Sequence, residues 1–230
     1  MKKLFIVITV VTLAVLGLIA TGHFYKKAQP QSTIENSTTI AVQAATNIED
    51  NSLVRPHSPI IGRADAPITI VEFLDPSCES CREVFPRVHK ILKTYPNDVR
   101  LVVRYAAFHR GSDVAISILE AARKQNMFEN VLAALFEKQR YWATHPAPNL
   151  NRAWDIAEAA GLNIQRAKVD AASPEVIKIL KQDAADIKTN NIRGTPAFFV
   201  NGKPVLVHGP TALSDMVNGA VQENKKERSQ

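Results

Sequence analysis

The stretch Ile68-Thr-Ile-Val-Glu-Phe-Leu-Asp-Pro-Ser-Cys-Glu-Ser-Cys81 decides the fold. Its first seven residues form a β-branched, apolar run, the pattern of a buried strand. Asp75-Pro76-Ser77 breaks that run. From Cys78 to about Tyr95 the apolar residues Val84, Phe85, Val88, Ile91 and Leu92 recur on one helical face. Pro86 lies inside this helix and is expected to kink it. The stretch therefore reads strand, turn, helix, and the only two cysteines of the chain, Cys78 and Cys81, stand where the helix begins.

Working outward, the domain is expected to begin near Ser58. Val99 to Phe108 is a second strand, which completes a strand–helix–strand unit. A helical block follows at about 110–190. Its segments are Ala115 to Lys124, Phe128 to Tyr141, Asn151 to Ala160 closed by Gly161, and a helix from Pro174 capped by Ser173. Strands return at Ala197 to Val200 and Val205 to Val207, joined by Asn201-Gly202, a strong hairpin signal. A last helix starts near Thr211 and ends in a charged tail. The pattern predicts an α/β fold interrupted by an inserted helical domain, spanning 58–224.

Upstream, Leu4 to Ala20 carries no charge and follows Lys2-Lys3. A helix of this run spans roughly 25 Å, the low end for a bilayer. Phe24-Tyr25-Lys26-Lys27 suits an uncleaved anchor at a membrane interface, and Ala20-Thr21-Gly22 suits a cleaved signal. Residues 1–27 are thus a membrane anchor or a signal sequence. Both readings send the rest outside the cytoplasm, to the periplasm in a bacterium. Residues 28–57, rich in Gln, Ser, Thr, Asn and Ala, read as a polar linker. The chain has 230 residues and a formal net charge of +6. Setting aside Lys2, Lys3, Lys26 and Lys27 leaves 24 basic against 22 acidic residues, or +2, which argues against nucleic acid as a partner.

A cysteine pair three apart at a strand–helix junction, in an exported domain, points to thiol–disulfide exchange. The first cysteine sits at the helix N-terminus, where free N–H groups and the macrodipole stabilise a thiolate. Cys78 is therefore the expected nucleophile and Cys81 the shielded resolving thiol. A copper carrier using the same two sulfurs is the alternative from chemistry. A structural disulfide would close too short a loop to add much stability. Structural zinc lacks a second CxxC or a close histidine pair in the sequence. Glu72 puts an acid into an apolar run, which is costly unless it has a role or a partner; a solvated edge position is the bland alternative.

With Pro86 in the helix and Gly194-Thr-Pro-Ala-Phe-Phe-Val-Asn-Gly202 near the end, these motifs resemble the thioredoxin superfamily. The inserted helices, and Ala66-Pro67 before the first strand, resemble its DsbA-like branch of protein disulfide oxidoreductases. The resemblance implies a cis Thr195-Pro196 peptide beside the cysteines, with backbone that pairs an extended substrate. It also implies that Glu72 is the buried acid that shuttles the proton of Cys81. It implies cysteine-containing substrate proteins, a membrane redox partner that recycles the pair, and no organic cofactor or metal. Oxidase, reductase and isomerase roles all fit the resemblance. Glu79-Ser80 departs from the Pro-His of strongly oxidising members. The Glu79 charge is expected to disfavour the Cys78 thiolate, partly offset by a hydrogen bond from Ser80, placing the pKa toward the upper part of the roughly 3.5–7.5 range of activated cysteines. His89, His109, His145 and His208 read as surface or capping residues, and Trp142 and Trp154 as core of the helical block.

Overall fold

A computed structural model describes residues 52–205, 209 and 211–230. The expected anchor or signal and most of the linker lie outside the described residues. No helix among the described residues is long and apolar enough to cross a membrane.

Strand β2 covers Ile68–Leu74 and strand β3 covers Val99–Tyr105. They pair in parallel from Ile68↔Val99 to Leu74↔Tyr105, with helix α1, Glu79–Thr94, as the crossover. Strand β4, Ala197–Val200, runs antiparallel on the other side of β2. The sheet differs from the sequence reading at its edges, and β3 ends at Tyr105 rather than Phe108. A short strand β1, Ile60–Ile61, was not expected; it pairs antiparallel with β3. The last strand, β5, is Lys203–Pro204 rather than Val205 to Val207, whose last two residues lie outside the described residues. The reason is the turn. Asn201 and Gly202 both take positive φ (48° and 79°), as a two-residue hairpin needs, so pairing resumes at once with Val200↔Lys203. The sheet order is β1-β3-β2-β4-β5.

Between β3 and β4 lie six helices: α2 (Ser112–Arg123), α3 (Phe128–Glu137), α4 (Gln139–Trp142), α5 (Leu150–Ala159), α6 (Ile164–Ala171) and α7 (Pro174–Thr189). The expected single helix from Phe128 to Tyr141 is two helices, α3 and α4, meeting at Lys138. Helix α6 was not expected. Its start is marked by Asn163, whose side chain accepts from the Arg166 N–H at 3.0 Å. Ser173 does precede α7, but its hydroxyl makes no cap bond. Helix α8, Ala212–Arg228, takes in most of the charged tail.

The period of two along β2 sends alternate side chains to opposite faces. Ile68, Ile70 and Leu74 join the main core with Val88 and Ile91 of α1, Val217 and Val221 of α8, and the helical block, where Trp142 is fully buried. Val71 and Phe73 face a smaller core with Val102, Ala106 and Ile192, covered by Leu53, Val54 and Ile187. This second face also buries Arg104. Its guanidinium bonds Asp183 Oδ1 (2.7 Å) and Asp186 Oδ2 (2.6 Å) of α7 and the Ser52 carbonyl (2.6 Å). Arg55 bonds both Asp186 oxygens (2.7 and 2.8 Å), and His57 Nε2 lies 2.8 Å from Asp183 Oδ1. Residues 52–57, read as the end of a linker, are thus clamped to the domain by ion pairs that need partners distant in sequence.

Candidate active site

Strand β2 ends at Leu74, and the turn after it is built around Asp75. Its buried carboxylate accepts from the Ser77 N–H (2.8 Å) and the Ser112 hydroxyl at Oδ1. At Oδ2 it accepts from the N–H groups of Phe108 (2.9 Å) and His109 (3.0 Å) and meets His109 Nδ1 at 2.7 Å. Gln139 of α4 closes the turn from the helical block, donating to the carbonyls of Pro76 (2.9 Å) and Cys78 (3.0 Å). Held this way, Cys78 is the N-cap of α1, with extended backbone (φ −79°, ψ 124°). Cys81 lies one turn in and is fully buried. Both are free thiols.

Thr195-Pro196 is cis, as expected, and leads into β4 next to β2. The Cys78 thiol donates to the Thr195 carbonyl at 3.3 Å. The Thr195 hydroxyl is buried with no hydrogen-bond partner among the described residues. It is therefore free to serve an ionised Cys78, and a hydrogen bond with Thr195 is among the interactions that lower this thiol's pKa.

The two sulfurs are driven apart in acidity. A hydrogen bond from Cys81 is the largest influence on Cys78; Thr195 and the N–H groups of Ser80 and Cys81 add to it, and together they outweigh burial and pull the pKa to about 5. That same bond, then burial and the Glu72 charge, pushes Cys81 far above its ordinary value. The value of about 5 lies below the upper part of the activated range anticipated from Glu79. The reason is where Glu79 points. Its half-exposed carboxylate faces His145 Nε2 at 3.6 Å and is screened by water. Ser80 contributes through its backbone N–H.

Glu72 shares its sheet face with Ile70 and Leu74, the face of the core that holds both cysteines. It is buried, not solvated, and its Oε1 has no hydrogen-bond partner among the described residues. Burial, then the charge on Cys78, pushes its pKa to about 8. Asp75, Gln139, His109 and His145 were not recognised as site residues from the sequence. The breaker Asp75-Pro76 marked a turn, but nothing local showed that His109 and His145 close over it. Burial lowers the His109 pKa, and its bond and attraction to Asp75 outweigh that, so its net position is above the ordinary value.

A mixed sheet that brings a CxxC helix start against a cis-proline loop, with helices inserted between β3 and β4, is the thioredoxin-like fold in its DsbA-like form. The chain belongs to the thioredoxin family, whose sequence profile it matches over residues 55–218. A thioredoxin-like oxidoreductase from Silicibacter pomeroyi superposes with a TM-score of 0.64 at 29% identity, covering 76% of this chain and 98% of that one. Oxidised BdbD from Bacillus subtilis gives 0.62 at 26% identity, covering 74% and 94%. The α-DsbA1 of Wolbachia pipientis shares the fold, with a TM-score of 0.57 at 22% identity over 64% of this chain and 76% of its own. By sequence, the chain is 32% identical over 146 residues to the Na(+)/H(+) antiporter NhaA of Herminiimonas arsenicoxydans. That match takes in 63% of this chain and 22% of the relative, so the chain spans about a quarter or less of the curated relatives it matches.

Proposed function

We propose that this protein is a protein disulfide oxidoreductase that exchanges disulfides with cysteine-containing proteins outside the cytoplasm. The observation that carries the reading is the Cys78 sulfur at the start of α1, 3.3 Å from the Thr195 carbonyl of the cis-proline loop. In the oxidising direction a substrate thiolate attacks Cys78 in the Cys78–Cys81 disulfide. The S–S bond breaks, and Cys81 leaves with the electron pair. Cys81 is a poor anion here and needs a proton, which neutral Glu72 supplies. A second substrate thiolate then attacks the substrate sulfur of the mixed disulfide and releases Cys78 as a thiolate. Two electrons pass from the substrate to the cysteine pair. A thiolate stable at neutral pH stabilises the reduced enzyme, which favours donation of the disulfide to substrate.

In this reading an extended substrate segment pairs with the backbone at Thr195-Pro196, and the 3.3 Å contact of Cys78 with that loop supports it. The apolar run from Leu4 to Ala20 and the polar stretch after it fit a domain on the outer side of a bacterial inner membrane, tethered or released by signal cleavage. A membrane redox partner then removes the two electrons. The test is mechanistic trapping. Cys81→Ser lacks the resolving thiol and should accumulate a mixed disulfide with substrate; Cys78→Ser should not. The reverse pattern would overturn the assignment.

A further inference from the structure

Three residues outside the exchange chemistry converge beside it. Glu79 comes from the first turn of α1, His109 from the loop between β3 and α2, and His145 from the loop between α4 and α5. One ligand atom from each lies within 4.8 Å of the others. His145 Nε2 is 3.6 Å from Glu79 Oε1, and the two imidazole rings are 5.2 Å apart, tilted by 42°. We propose that Glu79, His109 and His145 form a binding site for a divalent transition-metal ion of the zinc class, at the rim of the cysteine pair.

The donor chemistry selects the ion. Two imidazoles and one carboxylate suit zinc, nickel or copper, whereas calcium and magnesium require mostly oxygen ligands. The geometry is close to what is needed. With bonds of about 2.0–2.1 Å, ligand atoms at tetrahedral corners sit roughly 3.3 Å apart. The pair at 3.6 Å is already near that spacing, and no separation need close by more than about 1.5 Å. Side-chain exposures of 46% for His145 and 54% for Glu79 leave room for that movement and an open path for the ion.

A second observation supports a ligand role for His109. Metal-bound histidines usually carry a carboxylate on the nitrogen away from the metal, which sets the ring's tautomer and direction. His109 has that arrangement: Nδ1 meets Asp75 Oδ2 at 2.7 Å. Asp75 is itself buried and bonded to Ser77, Ser112 and Phe108. That bond fixes the ring before any metal arrives, and the proposed site takes the ion on the other nitrogen, Nε2. Three protein ligands leave a fourth position for water.

The site does not rest on the proposed exchange reaction, and its test removes thiol ligation. The full-length chain, in mild detergent and with Cys78 and Cys81 oxidised to the disulfide, is titrated with zinc in a calorimeter. One zinc ion per chain is expected. Affinity should fall at least about tenfold in His145→Ala and in Glu79→Gln, both half-exposed positions whose replacement leaves the core intact. The Cys78→Ser/Cys81→Ser double variant should bind as the oxidised chain does. An oxidised chain that binds no zinc, binding that survives His145→Ala, or binding lost with the cysteines would each overturn the proposal. Mixed-disulfide trapping, run without metal, reports on the exchange reaction separately.

Discussion

Replacing Glu72 with Gln keeps the size and polarity of a buried side chain and removes its ionisation. In the folded protein Glu72 titrates at about 8, against 4.5 in the ordinary state taken for the unfolded chain. Below about pH 4.5 both states hold the proton, and the residue makes no pH-dependent contribution. As pH rises from about 4.5 to about 8 the unfolded chain ionises first, so the folded state loses relative stability until Glu72 also ionises. At pH 7 the solution is about 2.5 pH units above the unfolded value and still below the folded one, so the cost is about 3 kcal/mol, approaching about 5 kcal/mol above pH 9. Glu72→Gln should therefore match the wild type near pH 4 and exceed it by about 3 kcal/mol at pH 7, measured by urea unfolding of the reduced proteins. Part of the rise comes from the Cys78 charge, so the gain should be smaller in the disulfide form. In the proposed exchange reaction the same variant would lack the proton donor for Cys81, and its turnover should fall on the order of a hundredfold. A stability difference that is flat across pH, or a variant less stable than wild type at pH 7, would refute the argument.

The remaining expectations concern the thiol and the buried ion cluster. Alkylation of Cys78 should rise with a midpoint near pH 5, and Cys81→Ala should move that midpoint upward by removing the hydrogen bond that dominates it, whereas Cys81→Ser, which keeps a donor, should move it less. An unchanged midpoint in Cys81→Ala would show that another group sets the acidity. Arg104→Ala removes the guanidinium that bridges Asp183 and Asp186, leaving Asp183 with His57 and the Tyr105 N–H and Asp186 with Arg55, and should cost about 3 kcal/mol, the low end for breaking a buried pair, in denaturant titrations at neutral pH. Burial would raise Asp186, but Arg55 and Arg104 outweigh it and hold its pKa at about 2. This depressed value stabilises the fold above the ordinary 3.8 by about 2 kcal/mol, and that contribution is lost as pH falls toward 2. Arg104→Ala should thus also flatten the acid unfolding profile; a variant that keeps the wild-type profile would sink the account.

Local patterns in the sequence determined the strand Ile68–Leu74, the helix behind Cys78, the hairpin turn at Asn201-Gly202 and the place of the cysteine pair, because each is written within a few residues by periodicity, breakers and backbone preference. The resemblance then anticipated the cis bond at Pro196 and the burial of Glu72. Tertiary structure decided the rest. Only chain closure brings His109 and His145 over Glu79, and neither histidine has a local feature that announces it. Arg104 looks like an ordinary charge in a strand until α7 supplies two aspartates from a distant segment and residues 52–57 close over them. The acidity of Cys78 followed the same rule: the neighbouring Glu79 suggested one direction, while the folded site turned that carboxylate outward and set the Cys81 thiol, Thr195 and two N–H groups around the sulfur. Electrostatic influence falls with distance and with water, so the groups that govern a buried atom are those packed against it, and packing is a property of the closed chain.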